Sequence, residues 1–143
     1  MHEILQPEGW ARPVGYSNGM AARGRIIVTG GQIGWNAQCE FETDDLLAQI
    51  GQTLANIAAI LKEAGARPEH IISMTWYLTD LAEYRAALQR MGPVYRAVMG
   101  RHFPPMAVVG FRPALIKRLE TIDVVVVLPC APAIVIPTCL LTN

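Results

Sequence analysis

The chain has 143 residues, enough for one compact domain with a substantial core. Its 12 basic and 12 acidic residues balance, and the basic set is 10 Arg and 2 Lys scattered along the chain, so nothing suggests a polyanion or nucleic-acid partner. A hydrophobic content of 52% points to a large core or a subunit interface, and no apolar run approaches the ~20 residues that cross a bilayer.

Two short β-like runs open the domain, at Val14 to Met20 and Arg25 to Thr29, and Ala22-Arg23-Gly24 between them reads as a hairpin turn. Gly30-Gly31 then bends the chain, and Gly34-Trp35-Asn36 begins a loop. Leu46 or Leu47, Ile50, Leu54, Ile57 and Leu61 recur at helical spacing. Thr43 is the expected cap, Asp44 and Asp45 complement the positive helix end, and Gly65 suits the left-handed residue beyond the last turn.

Ile72, Met74, Trp76 and Leu78 alternate with Ser73, Thr75, Tyr77 and Thr79, the period of a strand. Asp80 and Glu83 form a capping box for a second helix with an apolar stripe at Leu81, Tyr84, Leu88 and Met91. Gly92-Pro93 should interrupt it, and Val94 to Met99 should resume after a kink. Pro104-Pro105 ends the helix, Met106 to Phe111 is a strand, and Leu119 to Leu128 is a last strand with four consecutive valines.

A run apolar on both faces needs cover on both sides. The order ββ-α-β-α-ββ therefore predicts an α+β fold, a mixed β-sheet with two helices on one face and a second subunit covering the other. Residues 1–128 make up this single domain, and 129–143 form an apolar, Pro-containing tail that either covers a patch or stays unfolded.

Cys39, Cys130 and Cys139 lack metal-ligand spacing, so no metal site is expected. Thr29-Gly30-Gly31 is too short and lacks the lysine of a phosphate loop, and no cofactor is expected. The first residues lack the basic start and apolar core of a signal peptide, which makes a reducing cytoplasm the default.

Several segments together resemble the YjgF/RidA family of imine and enamine deaminases. They are Gly15-Tyr16-Ser17, Gly30-Gly31-Gln32-Ile33, Asn56, Tyr77-Leu78-Thr79-Asp80, and Pro104 with its spacing to Ile122-Asp123. The likeness spans about residues 10 to 128. It implies a fold similar to chorismate mutase, a homotrimer, and small-molecule sites in the clefts between subunits. It also implies that Tyr16 lines the cleft and that the Gly31 backbone amide meets the substrate acid.

Two departures stand out. The family's substrate-clamping arginine is replaced by Met106, and a thioether has neither the charge nor the forked donors of a guanidinium. The family's Glu-Ile-Glu motif is here Thr121-Ile122-Asp123, so its water-holding first carboxylate is a threonine. Thr121 and Asp123 still share one strand face, where Asp123 can act as base and Thr121 as hydrogen-bond partner to a water. Asp123 serving loop amides is the plainer alternative.

Arg101 and His102 precede the Met106 strand and can replace the missing cation, although a solvated helix-end pair is the plainer reading. Trp35 and Trp76 can wall a pocket or pack in the core. Three functions follow. The chain hydrolyses an imine, an enamine or a related reactive intermediate, but not the standard small 2-imino acids. Alternatively, it is a non-catalytic trimer that binds a small ligand in the same cleft. An RNA-directed role finds no basic stripe.

Overall fold

The computed structural model describes residues 2–111 throughout, and at 121–128 the backbone together with the Ile122 side chain. In chain order the elements are β1 (His2–Ile4), β2 (Met20–Ala22), β3 (Arg25–Val28), α1 (Leu46–Glu63), β4 (Ile71–Leu78), α2 (Leu81–Met99), β5 (Met106–Gly110) and β6 (Thr121–Leu128). A single 3-10 turn, Pro68–His70, leads into β4. The order in the main sheet is β3-β6-β4-β5. Only β4 and β5 run parallel, so the sheet is mixed and the fold is α+β.

The core lies between the helices and one sheet face. Ile50, Leu54, Ile57 and Leu61 of α1 are almost wholly buried, together with Met74, Trp76 and Leu78 of β4, Met91, Tyr95 and Met99 of α2, and Ile122. Their helical spacing on α1 and alternation on β4 are the sequence pattern made physical. One departure from it has a local cause. Ile71, not Ile72, is buried, because the register with β6 shifts between Ile71 and Ser73 and the bulge turns Ile71 inward.

Both helix starts are capped by aspartate. The Asp45 carboxylate accepts from the Ala48 amide at 2.8 Å, so Asp45 takes the cap position expected for Thr43. Thr43 Oγ1 instead accepts from the Asp45 amide and steadies the cap residue itself. Asp80 caps α2 by accepting from the Glu83 amide at 2.9 Å. Gly65, at φ 70°, follows α1 as anticipated.

Two expectations are corrected. The run from Val14 to Met20 is not a strand paired with Arg25 to Thr29. Only Met20–Ala22 is extended into a ladder, its partner is β1, and β3 pairs with β6. The reason is Ser17, whose Oγ donates to Phe103 O at 2.6 Å and whose amide donates to Pro104 O, pinning this segment beside β5. The break expected at Gly92-Pro93 is absent as well, and α2 runs unbroken through Pro93. Pro93 and Gln89 both face solvent, so water can satisfy the Gln89 carbonyl that proline leaves unpaired. The expected strand start at Leu119, the tail 129–143, Cys130 and Cys139 lie outside the described residues.

Candidate functional site

A cavity of about 610 Å³ opens between α2 and the β4–β5 edge. The sequence builds it from two periodicities. Tyr84, Leu88, Met91 and Tyr95 recur on one face of α2, and Met106 and Val108 are alternate residues of β5. Trp76 of β4 and Phe103 close the floor. The Tyr95 and Phe103 rings stack at 5.4 Å, Trp76 lies 6.5 Å from Tyr95, and it meets Tyr84 edge-on at 6.4 Å. Such offset and edge contacts fix ring positions as well as burying area.

Polar groups in this wall are few. Tyr95 donates its hydroxyl hydrogen to His102 O at 2.7 Å, and burial pushes the Tyr95 and Tyr84 pKa values up, so both stay protonated near neutral pH. Trp76 is only 2% exposed, and its Nε1–H finds no acceptor among the described residues. At the rim lies Arg96.

A second cavity of about 620 Å³ shares Val14, Gly15, Tyr16 and Phe103 with the first and adds Arg12, Arg101, His2 and His102. His102 Nε2 lies 2.6 Å from Ile71 O; a carbonyl only accepts, so Nε2 carries the proton. Burial lowers the His102 pKa despite this bond. The loop between α2 and β5 is tied at four successive carbonyls. His102 O accepts from Tyr95, Phe103 O and Pro104 O accept from Ser17, and Pro105 O accepts from the Met74 amide at 3.0 Å.

The residues singled out in the sequence fall into two groups. Tyr16 and Met106 line the aromatic cavity, and Arg101 joins Tyr16 at the second. The Gly31 backbone belongs to a loop that pairs with β6, since the Gln32 and Ile122 amides exchange bonds of 2.9 Å. Asn56 holds the same loop to α1 by donating to Ile33 O and Trp35 O. Thr121 and Asp123 are register partners of Tyr77 and Thr75, on either side of buried Ile122. Their side chains lie outside the described residues.

Strand parity separates the two groups. Met106 pairs with buried Met74 and lies on the helix-facing side of the sheet, as Ile122 does. Positions 121 and 123 alternate with Ile122 and so belong to the opposite face.

The sequence reading missed Arg96, the unpaired Trp76 donor and the Tyr95–Phe103 stack. The helical spacing of Tyr84, Leu88, Met91 and Tyr95 was a visible signal, but it reads as core. Trp35 does not line the cavity and instead meets Phe41 at 6.3 Å. Cys39 is free and exposed in a tight turn at φ 62°. No helix among the described residues is long and apolar enough to cross a membrane, and no cluster of three metal-ligand side chains occurs among them.

Residues 10–126 match the family model described as endoribonuclease L-PSP. A RutC family protein of Aquifex aeolicus is 35% identical over 86 residues, covering 59% of this chain and 67% of that protein. One from Pyrococcus horikoshii is 32% identical over 106 residues, covering 73% and 80%. Among solved structures, the Rid protein family member YyfB of Yersinia pestis, described as of unknown function, superposes with a TM-score of 0.78 at 28% identity, covering 89% of this chain and 98% of that one. The chain belongs to the YjgF/RidA family, the endoribonuclease L-PSP family of the matching model.

Proposed function

We propose that the chain hydrolyses an imine, an enamine or a related reactive intermediate in a cleft between subunits of a homotrimer. The observation that carries this reading is the parity of the sheet: Met106 on one face, Thr121 and Asp123 on the other. A site that uses both sets of residues needs a second copy of the chain. Exposed Ile26 and Val28 on β3 offer an apolar surface for that contact. The domain is residues 1–128 with 129–143 as a tail, and the cytoplasm is the proposed setting.

In this reading Asp123 is the base and Thr121 positions the water. The water oxygen adds to the imine carbon while Asp123 takes its proton, and the nitrogen leaves as ammonia once protonated, giving the carbonyl product. The Gly31 amide, Tyr16, Met106 and Arg101 line the substrate. Met106 places an apolar corner where small 2-imino acids need a cation, so a substrate with an apolar or aromatic end is favoured.

The test is ammonia release from enamines generated in situ. A general base contributes roughly 10²–10⁴-fold, so Asp123→Asn should lose at least about a hundredfold in rate. A wild-type protein that never exceeds the spontaneous rate would sink the catalytic reading. The second reading, a non-catalytic trimer that binds a small ligand, would then take its place. It is favoured by the same pair of replacements, Met106 and Thr121.

A further inference from the structure

One short segment is held at both ends by contacts far apart in sequence. Ser17 is clamped to the loop before β5, its Oγ to Phe103 O at 2.6 Å and its amide to Pro104 O. Two residues on, Gly19 O accepts from the Leu5 amide at 2.9 Å, and β2 begins at Met20 opposite Ile4. Asn18 links these anchors at an exposed bend. Just upstream, Gly15 and Tyr16 wall both cavities.

Asn18 is also the one asparagine in the chain that precedes a glycine; Asn36 precedes Ala37 and Asn56 precedes Ile57. An Asn-Gly pair normally marks a hairpin tip at which positive φ is required. Neither residue has a positive φ here. Packing does not demand glycine either, since a Cβ at Gly19 would meet only the Leu5 side chain, at 3.4 Å.

The chemistry of the pair is distinctive. The Gly19 amide donates to no acceptor among the described residues, and no Cβ shields its nitrogen. The short Asn18 side chain can reach the backbone amide that follows it. Among the described residues its one hydrogen bond is exposed, from Nδ2 to Gln6 Oε1 at 2.8 Å. The other two are held more firmly. Asn36 Oδ1 accepts from the Gln38 and Glu40 amides while its Nδ2 donates to Glu42, and Asn56 Nδ2 donates to two loop carbonyls.

We infer that Asn18 is a site of spontaneous deamidation, whose isoaspartate product releases the clamp beside the two cavities. Hydroxide removes the Gly19 amide proton, and the nitrogen adds to Asn18 Cγ. Ammonia departs with the side-chain nitrogen and leaves a cyclic succinimide. Water opens that ring at either carbonyl, giving aspartate or isoaspartate. One water enters, one ammonia leaves, and nothing is oxidised or reduced. In isoaspartate the main chain runs through Cβ and Cγ, so one extra carbon, about 1.5 Å of bond, lies between Ser17 and Gly19. The anchors on either side fit the shorter link, so one of them lets go. Gln6 Oε1 loses its donor in either product, because Nδ2 has left as ammonia. Tyr16 then loses its fixed place on the cavity wall. None of this depends on turnover in the cleft.

The test is to age the full chain at mildly alkaline pH and follow each asparagine by peptide mass mapping, with enzymatic methylation to mark isoaspartate. Asn18 should convert first, mainly to isoaspartate, at a rate proportional to hydroxide. Gly19→Ala should slow the conversion at least about tenfold, because a modest rise in barrier suffices for that. Hydrogen exchange reads the consequence. In aged protein the Ser17 or the Leu5 amide should exchange at least about tenfold faster than in fresh protein, as local opening predicts. Freshly prepared Asn18→Asp, which gains the charge without the extra carbon, should keep both amides protected. Conversion of Asn36 or Asn56 ahead of Asn18 overturns the inference. So does unchanged exchange at both amides once isoaspartate has formed, or an equal loss of protection in Asn18→Asp.

Discussion

His102 links the second cavity to the start of β4. Its ring is half-buried, its Nε2–H donates to Ile71 O, and burial lowers its pKa. The sign follows from linkage. Below the ordinary histidine value of about 6.5 the unfolded chain takes up a proton that the folded chain resists, so stability falls as the pH drops through that value. Above it both states are neutral and the effect vanishes. Urea midpoints measured from pH 7.5 down to 5 should therefore decrease, and His102→Gln should flatten that decrease. An equal slope in the variant would show that another group is responsible. Tyr16 and Met106 stood out in the sequence because short motifs around them resemble the family, and the structure places both on the cavity wall. Arg96 was not, since a lone arginine on a helix looks like solvent-facing charge until Gly92 is seen beneath its guanidinium.

At the scale of elements, the sequence encoded periodicity well and pairing poorly. The stripes of α1 and β4 fixed which side chains enter the core, whereas the partner of β2 depended on Ser17 bonding across 86 residues of chain to Phe103. No local signal announces such a contact. The α2 stripe shows a second limit: an apolar face says where water is excluded, not whether the opposite wall fills the space. The loop leading to α1 gives a sharp test. An alanine Cβ at Gly34 would lie 2.8 Å from Gln49 Cα and from its backbone oxygen, and neither can move without shifting α1. Gly34→Ala should cost about 1–3 kcal/mol by overpacking, read as a lower urea midpoint. An unchanged midpoint would mean that the loop is not held against the helix as described.

For the whole molecule, the outer sheet face carries uncovered apolar surface. Ile26 and Val28, two apart on β3, are 70% and 68% exposed. Covering an aliphatic side chain contributes about 1.5–3 kcal/mol, so two on one strand are enough to weigh in the proposed association. Ile26→Asp together with Val28→Asp should dissociate the proposed trimer in sedimentation while preserving the helical signal. Unchanged sedimentation would place the contact elsewhere. The tied loop between α2 and β5 has a further effect at this scale. With the carbonyls of residues 102–105 all engaged, Phe103 and Met106 form an anvil set before any guest arrives. Little entropy remains to be lost on that side, so any change in the cavity's shape falls to the exposed Leu88 and Arg96 on the solvent flank of α2.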